Sequence, residues 1–205
     1  MPVAVDRLVV HLQRLPGVGR RGALRFAVHL ANSLDLAQAL GDALRQLGDD
    51  VALCRWCDGL ADARGPNASS NGVLCTLCAN PRRETGLLCV VAKYPDMLAL
   101  ELSGAMRGRY FILGTLVSPL AGTDAEDLPV ERLRAVVDEQ TVTEVILATP
   151  PSVDGEATAL VLRGVIEAIG GVKITRIASG VAHGAELDFA DAATLALALQ
   201  NRRDV

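Results

Sequence analysis

Four cysteines fall into two Cys-x-x-Cys pairs, Cys54/Cys57 and Cys75/Cys78, with seventeen residues between the pairs. Each pair can bring two sulfurs to one ion at about 2.3 Å, and two pairs complete a tetrahedron. The spacing is that of a four-cysteine zinc site. A redox dithiol, or four buried thiols, is the competing reading of the same residues. With all four positions held by protein ligands, a zinc ion has no place for a reacting water. Its role would then be structural, holding together a segment too small and polar to fold alone. The fifth cysteine, Cys89, stands in an apolar run and reads as a small core residue.

The chain of 205 residues has room for one or two domains and a sizeable core. Aromatics make up only 3% of it, so Ala, Val and Leu must fill the interior, and few rings can stack on bases. A net charge of −4 argues against a generally basic nucleic-acid binder, so any DNA contact must come from a local patch. No apolar run is long enough to span a bilayer, and nothing resembles a signal peptide. The expectation is a soluble cytoplasmic protein with no membrane partner, in which paired cysteines bind metal more often than they form disulfides.

Apolar spacing predicts helices over residues 3–15, from about Arg20 through Leu30, and over 35–47. The character changes at Val51, where cysteines, glycines and polar residues begin. Gly65-Pro66-Asn67-Ala68-Ser69-Ser70-Asn71-Gly72 reads as an exposed loop. From residue 87, strands alternate with helices. The strands are Leu87–Ala92, Arg109–Leu113, Glu144–Ala148 and Lys173–Ala178; the helices are Asp96–Ser103, Val130–Glu139, Gly155–Ile169 and Asp191–Leu199. Such alternation implies a mainly parallel sheet covered on both faces. The expected division is a helical region 1–52, a four-cysteine segment 53–80, an α/β domain 81–178 and a C-terminal helical segment 179–205.

Leu15-Pro16-Gly17-Val18-Gly19-Arg20-Arg21 joins the first two helices. Glycine permits positive φ and close backbone approach, and the NH groups at a helix start can bind a phosphate. Arg20, Arg21 and Arg25 flank that point. Residues 1–30 hold five arginines against Asp6 alone, a basic patch that the overall charge conceals. Backbone amides with arginines suit sequence-independent phosphate contact. A plain helix–helix turn with solvated arginines is an equal reading of the turn by itself. Among the histidines, His11 reads as a surface residue, His29 as packed or capping, and His183 as a solvated loop residue.

Taken in order, these residues resemble a known family. Leu15-Pro16-Gly17-Val18-Gly19, Arg25-Phe26-Ala27-Val28-His29-Leu30 and the two cysteine pairs are similar to the bacterial recombination mediators of the RecR family. So are Asp96–Gly104, Arg107-Gly108-Arg109-Tyr110, Leu116–Leu120, Glu144–Thr149, Val153–Leu160, Thr175–Ala178 and Leu187–Asp191. The resemblance covers nearly the whole chain, and its order and spacing carry it. It implies a helix-hairpin-helix, a four-cysteine zinc finger, a Toprim domain and a C-terminal assembly segment. It implies homodimers or homotetramers forming rings on DNA, and a nucleoid-associated place in the cytoplasm. It also implies partnership with RecO and RecF in loading RecA at single-stranded gaps. By position, Arg21 and Arg25 would contact DNA.

The chain departs from that family in three places. The loop between the cysteine pairs is longer, which costs little entropy. Val181-Ala182-His183-Gly184-Ala185 replaces a Pro-Val-Gly-Gly-like turn. In Ala92-Lys93-Tyr94-Pro95, Ala92 and Lys93 stand where the family has acidic residues. Catalytic Toprim enzymes use such an acid with a later acidic pair to hold Mg²⁺. Only the later pair remains here, Asp154 and Glu156, which also suits a helix start. The resulting expectation is a non-enzymatic DNA-binding mediator. The alternatives are a Mg²⁺-dependent phosphoryl-transfer enzyme acting through Asp154 and Glu156, and a diverged interaction module.

Overall fold

The computed structural model of the chain describes residues 1–202; the last three residues of the expected 179–205 segment lie outside them. The chain divides into two compact units, Met1–Val51 and Ala52–Val205.

The first unit is helical: α1 (Val3–Leu12), α2 (Arg20–Ala31) and α3 (Leu34–Asp50). Helix α1 stops three residues short of the expected end. The NH groups of Arg14 and Leu15 bond to the carbonyls of His11 and Leu12, tightening the chain into a turn before Pro16. A residue preceding proline is disfavoured in helical conformation, which fixes the stop. Gly17 follows at φ +78°, a conformation that suits glycine. The buried core here is small: Val9, Ala23 and Ala27, with Val5, Leu8, Leu12 and Val18 packed around them. Ala23 and Ala27 lie one turn apart on α2, and their small side chains let α1 approach closely. Helix α3 has no fully buried residue.

The second unit opens with short ribbons. Strand β1 (Val51–Leu53) pairs with β2 (Leu60–Asp62), and β3 (Ala68–Ser69) pairs with β4 (Gly72–Val73). The expected loop at 65–72 is therefore exposed but partly ordered as a hairpin, with Ser69 opposite Gly72 and Ala68 opposite Val73. The turn residues that signalled a loop are those a tight hairpin needs. The short helix α4 (Thr76–Ala79) follows.

The remainder is a four-stranded sheet of β5 (Glu84–Val91), β6 (Gly108–Ile112), β7 (Glu144–Ala148) and β8 (Lys173–Arg176), ordered β6-β5-β7-β8. All three neighbouring pairs are parallel. Connecting them are α5 (Tyr94–Leu102), α6 (Val130–Glu139) and α7 (Val153–Ile169), and α8 (Ala192–Gln200) follows the last strand. Successive strand residues face opposite sides. Leu88, Val90, Phe111, Val145 and Leu147 pack against Leu133, Val136 and Val137 of α6 and Ala159, Leu162 and Ile166 of α7. Cys89, Val91, Tyr110 and Ile112 pack on the other face with Met97 of α5. The expected parallel sheet with both faces covered is present, as are the helical segments at either end. Cys89 is a core residue whose burial pushes its thiol pKa up to about 12.

Candidate metal centre and nucleic-acid interface

The first cysteine pair sits on the turn between β1 and β2, and the second enters α4 with Cys75 at its N-cap. The fold brings the four together. All four sulfurs lie within 4.8 Å of one another and all four residues are buried. Cys57 and Cys75 place their sulfurs 3.6 Å apart. Four sulfurs around one ion at about 2.3 Å would be separated by roughly 3.8 Å, so the cluster fits a tetrahedral ion. Backbone amides point at two of the sulfurs: Gly59 N–H donates to Cys57 Sγ at 3.3 Å, and Cys78 N–H to Cys75 Sγ at 3.4 Å. A Cβ on Gly59 would stand 3.1 Å from that Cys57 sulfur, which would have to give by a few tenths of an ångström. Among the described residues, no other group of three or more His, Cys, Asp or Glu is so arranged.

The four thiols are linked to one another through their hydrogen bonds. The Cys54 thiol is held far below its ordinary range because Cys57, Cys75 and Cys78 donate to it. Cys57 is pushed far up, first because Cys54 holds its proton. Cys78 is also pushed far up, again chiefly through Cys54. A divalent ion held by all four would take the place of the protons and bind thiolates.

The cysteine segment is fastened to the sheet. Ile112 N–H, at the end of β6, donates to Cys57 O at 2.9 Å, and Arg55 pairs with Glu139 of α6 at 2.9 Å. Leu77 packs against both the cysteine cluster and the Cys89–Met97 layer. Trp56, between the first two cysteines, stacks under Arg109 of β6, whose guanidinium carbon lies 4.5 Å from the ring centre. Sequence reading anticipated neither Trp56 nor Arg109, because they lie 53 positions apart and no local pattern joins them.

In the helical unit, Gly19 is the N-cap of α2, no side chain caps that end, and its first turn has no acidic residue. The first NH groups of a helix have no partner within it, so this end presents donors. Arg20 and Arg21 are the first two residues of the helix, and Arg25 follows one turn later with its guanidinium over the Phe26 ring at 5.5 Å. All three are exposed. No carboxylate among the described residues pairs with Arg20, Arg21 or Arg25.

Asp154 and Glu156 lie in the first turn of α7, just beyond β7. Ala92 and Lys93 lie just beyond β5, the neighbouring strand. Crossovers leave these two strands in opposite directions, and such a switch point is where open parallel sheets bind ligands. The groups present do not suit Mg²⁺. Glu156 is bound by Arg176 at 2.5 Å, Ala92 is buried with no polar side-chain atom, and Lys93 adds a positive charge. Ser152 caps α7 through Gly155 N–H, so the acids also sit where a helix start favours them. His183 and His11 are exposed, and so is His29 in the last turn of α2, where a packed or capping residue was expected.

No helix among the described residues is long and apolar enough to cross a membrane. Three known families match consecutive parts of the chain: "RecR, helix-hairpin-helix" at residues 5–47, "Toprim domain" at 86–178 and "RecR, C-terminal" at 180–203. The recombination protein RecR of Rhodospirillum rubrum is 44% identical over 202 residues, covering 98% of each chain. That of Myxococcus xanthus is 40% identical over 205 residues, covering all of this chain and 99% of its own. That of Frankia alni is 40% identical over 203 residues, covering 98% and 96%. With similarity of this extent along the full length, and matches specific to the family near both ends, the chain belongs to the RecR family of recombination proteins.

Proposed function

We propose that the protein is a non-enzymatic clamp that grips DNA phosphates through the α1–α2 turn and mediates recombinational repair. The carrying observation is the uncapped start of α2, with Arg20, Arg21 and Arg25 exposed beside it and unpaired with any described carboxylate. Gly17 supplies the positive φ of the turn, and Gly19 leaves the helix end open. Phosphate contact of this kind is independent of base sequence.

The four segments divide the work. Residues 1–52 bind DNA, 53–80 hold a structural Zn²⁺ through Cys54, Cys57, Cys75 and Cys78, 81–178 form the Toprim-type scaffold, and 179–205 serve assembly into a homodimer or homotetramer ring. RecO-like and RecF-like proteins are the partners, and their joint task is to load RecA at single-stranded gaps. A Mg²⁺-dependent reaction at Asp154 and Glu156 has little support, since Arg176 holds one carboxylate and Lys93 faces the same end of the sheet.

The test is reconstitution. The zinc-loaded protein with the RecO-like and RecF-like proteins of the same cell should speed RecA assembly on gapped DNA coated with single-strand-binding protein. It should leave the DNA uncut with Mg²⁺ present. Failure to bind either partner, or Mg²⁺-dependent cleavage lost in Asp154→Ala, would overturn the proposal.

A further inference from the structure

The first knuckle, Cys54-Arg55-Trp56-Cys57-Asp58, is a tight turn in which Asp58 N–H donates to Cys54 O at 3.1 Å. Asp58 closes the turn at φ +60°, a left-handed conformation uncommon for residues with a side chain but one that Asp adopts more readily than most. One side chain meets all parts of this turn. Arg132 of α6 donates through Nη2 to Cys54 O at 2.9 Å and to Arg55 O at 3.0 Å, and its Nη1 pairs with the Asp58 carboxylate. The same helix buries Leu133, Val136 and Val137 in the core of the sheet. Arg132 therefore joins a rigid helix to the backbone of two consecutive knuckle residues and to the side chain of a third.

Two physical effects follow. The guanidinium fork fixes the two carbonyls that flank Arg55, those of Cys54 and of Arg55 itself, and so constrains the backbone from which the Cys54 sulfur approaches an ion. Four thiolates around one Zn²⁺ also leave two net negative charges, which a cation beside the knuckle offsets. Groups that orient metal ligands in this way change metal affinity by about 10- to 100-fold when removed.

We propose that Arg132 is a positioning residue of the metal centre, and that it ties retention of the ion to helix α6 of the Toprim domain. This rests on the reading of the four cysteines as ligands of one Zn²⁺. The tie works both ways: the ion holds the knuckle against α6, and α6 holds the knuckle around the ion. Lysine cannot replace the arginine fully, because one ammonium keeps the charge but cannot span two carbonyls and a carboxylate in a planar fork.

The test is zinc release from the full-length, zinc-loaded protein to a chromogenic chelator. Arg132→Ala should release the ion about ten times faster than the unaltered protein. Arg132→Lys should fall between them, and Glu131→Ala, on the neighbouring position of α6, should match the unaltered protein. Thermal unfolding separates positioning from simple support of the fold. Arg132→Ala should lower the midpoint of the zinc-loaded protein more than that of the stripped protein, whereas an equal loss in both would refute the proposal. Should Arg132→Ala fail to fold, hydrogen exchange on the unaltered protein decides: stripping zinc should speed exchange of α6 amides, and unchanged exchange would refute the tie. One zinc per chain with release from Arg132→Ala at the ordinary rate overturns the role of Arg132 alone. No bound zinc in the unaltered protein overturns the metal reading with it.

Discussion

In the α/β unit five arginines are committed to carboxylates. Arg55 pairs with Glu139, Arg83 with Glu101, Arg132 with Asp58, Arg163 with Glu167 and Arg176 with Glu156. In the helical unit Arg45 pairs with Asp42 of its own helix, whereas Arg7, Arg14, Arg20, Arg21 and Arg25 have no carboxylate partner among the described residues. The two units also build their interiors differently. One packs Leu, Ile, Val and Phe against both faces of a sheet, and the other brings two helices together over Ala23 and Ala27. The contrast separates cations that hold the fold from cations without a carboxylate partner, among which Arg20, Arg21 and Arg25 are proposed to meet DNA phosphates. It also separates a unit with a buried four-sulfur cluster, proposed to hold an ion, from one with no such cluster among the described residues.

Four substitutions or conditions would break or sharpen that contrast. The largest effect belongs to the metal. Cys57→Ser should abolish stoichiometric zinc, measured by elemental analysis. Up to about 10 kcal/mol of ion-binding free energy is at stake in such a site. Amide protection in α1 and α2 should stay as it was. Loss of protection there would show that the units do not differ in their need for the ion.

Next come the two cores. Leu133→Ala removes a fully buried side chain from the sheet core and should cost about 2–5 kcal/mol in denaturant unfolding. Ala27→Leu adds bulk where α1 and α2 touch and should cost about 1–3 kcal/mol. A neutral Ala27→Leu would mean that the close packing of the helical unit is not what holds it.

The smallest effect is alkaline. Burial raises the Cys89 pKa to about 12 in the folded chain, against roughly 8.5 when unfolded. Its contribution is thus complete below about pH 8 and is lost progressively as pH rises toward 12. By pH 9.5 the loss should be about 1 kcal/mol, and Cys89→Ala should remove that part of the slope. An unchanged slope would show that the thiol is not sealed in the core.

Periodic features were the ones legible in sequence. The helical spacing of 35–47 and 130–139 and the apolar runs at 87–92 and 144–148 found their elements, because burial imposes a period on one strand or helix. Ends were less legible. Strand β5 begins at Glu84, three residues before its apolar run, since the ladder with β6 also includes exposed residues. Helix α7 begins at Val153 because Ser152 caps it, a signal hidden behind Pro150-Pro151. The cysteine spacing announced a four-sulfur cluster, and the fold forms one. What spacing could not announce is the set of long-range partners. Arg132 is 78 positions from Cys54, and nothing local marks it as the residue that meets the knuckle. The hairpin at 68–73 escaped for the opposite reason: its residues favour turns so strongly that two very short strands left no alternation to read.

The central claim is that free arginines at the α1–α2 turn, and not the metal segment, carry the contact with DNA. The direct measurement is affinity for gapped and duplex DNA across a salt series, using zinc-loaded protein with Arg20, Arg21 and Arg25 all changed to alanine. Affinity should fall on every sequence alike, and the slope of log affinity against log salt should shrink by about 3, roughly one for each phosphate that is no longer neutralised. Helix content and zinc content should be unchanged. An unaltered slope and affinity in a folded, zinc-loaded triple variant would contradict the claim and move the DNA-binding surface elsewhere on the chain.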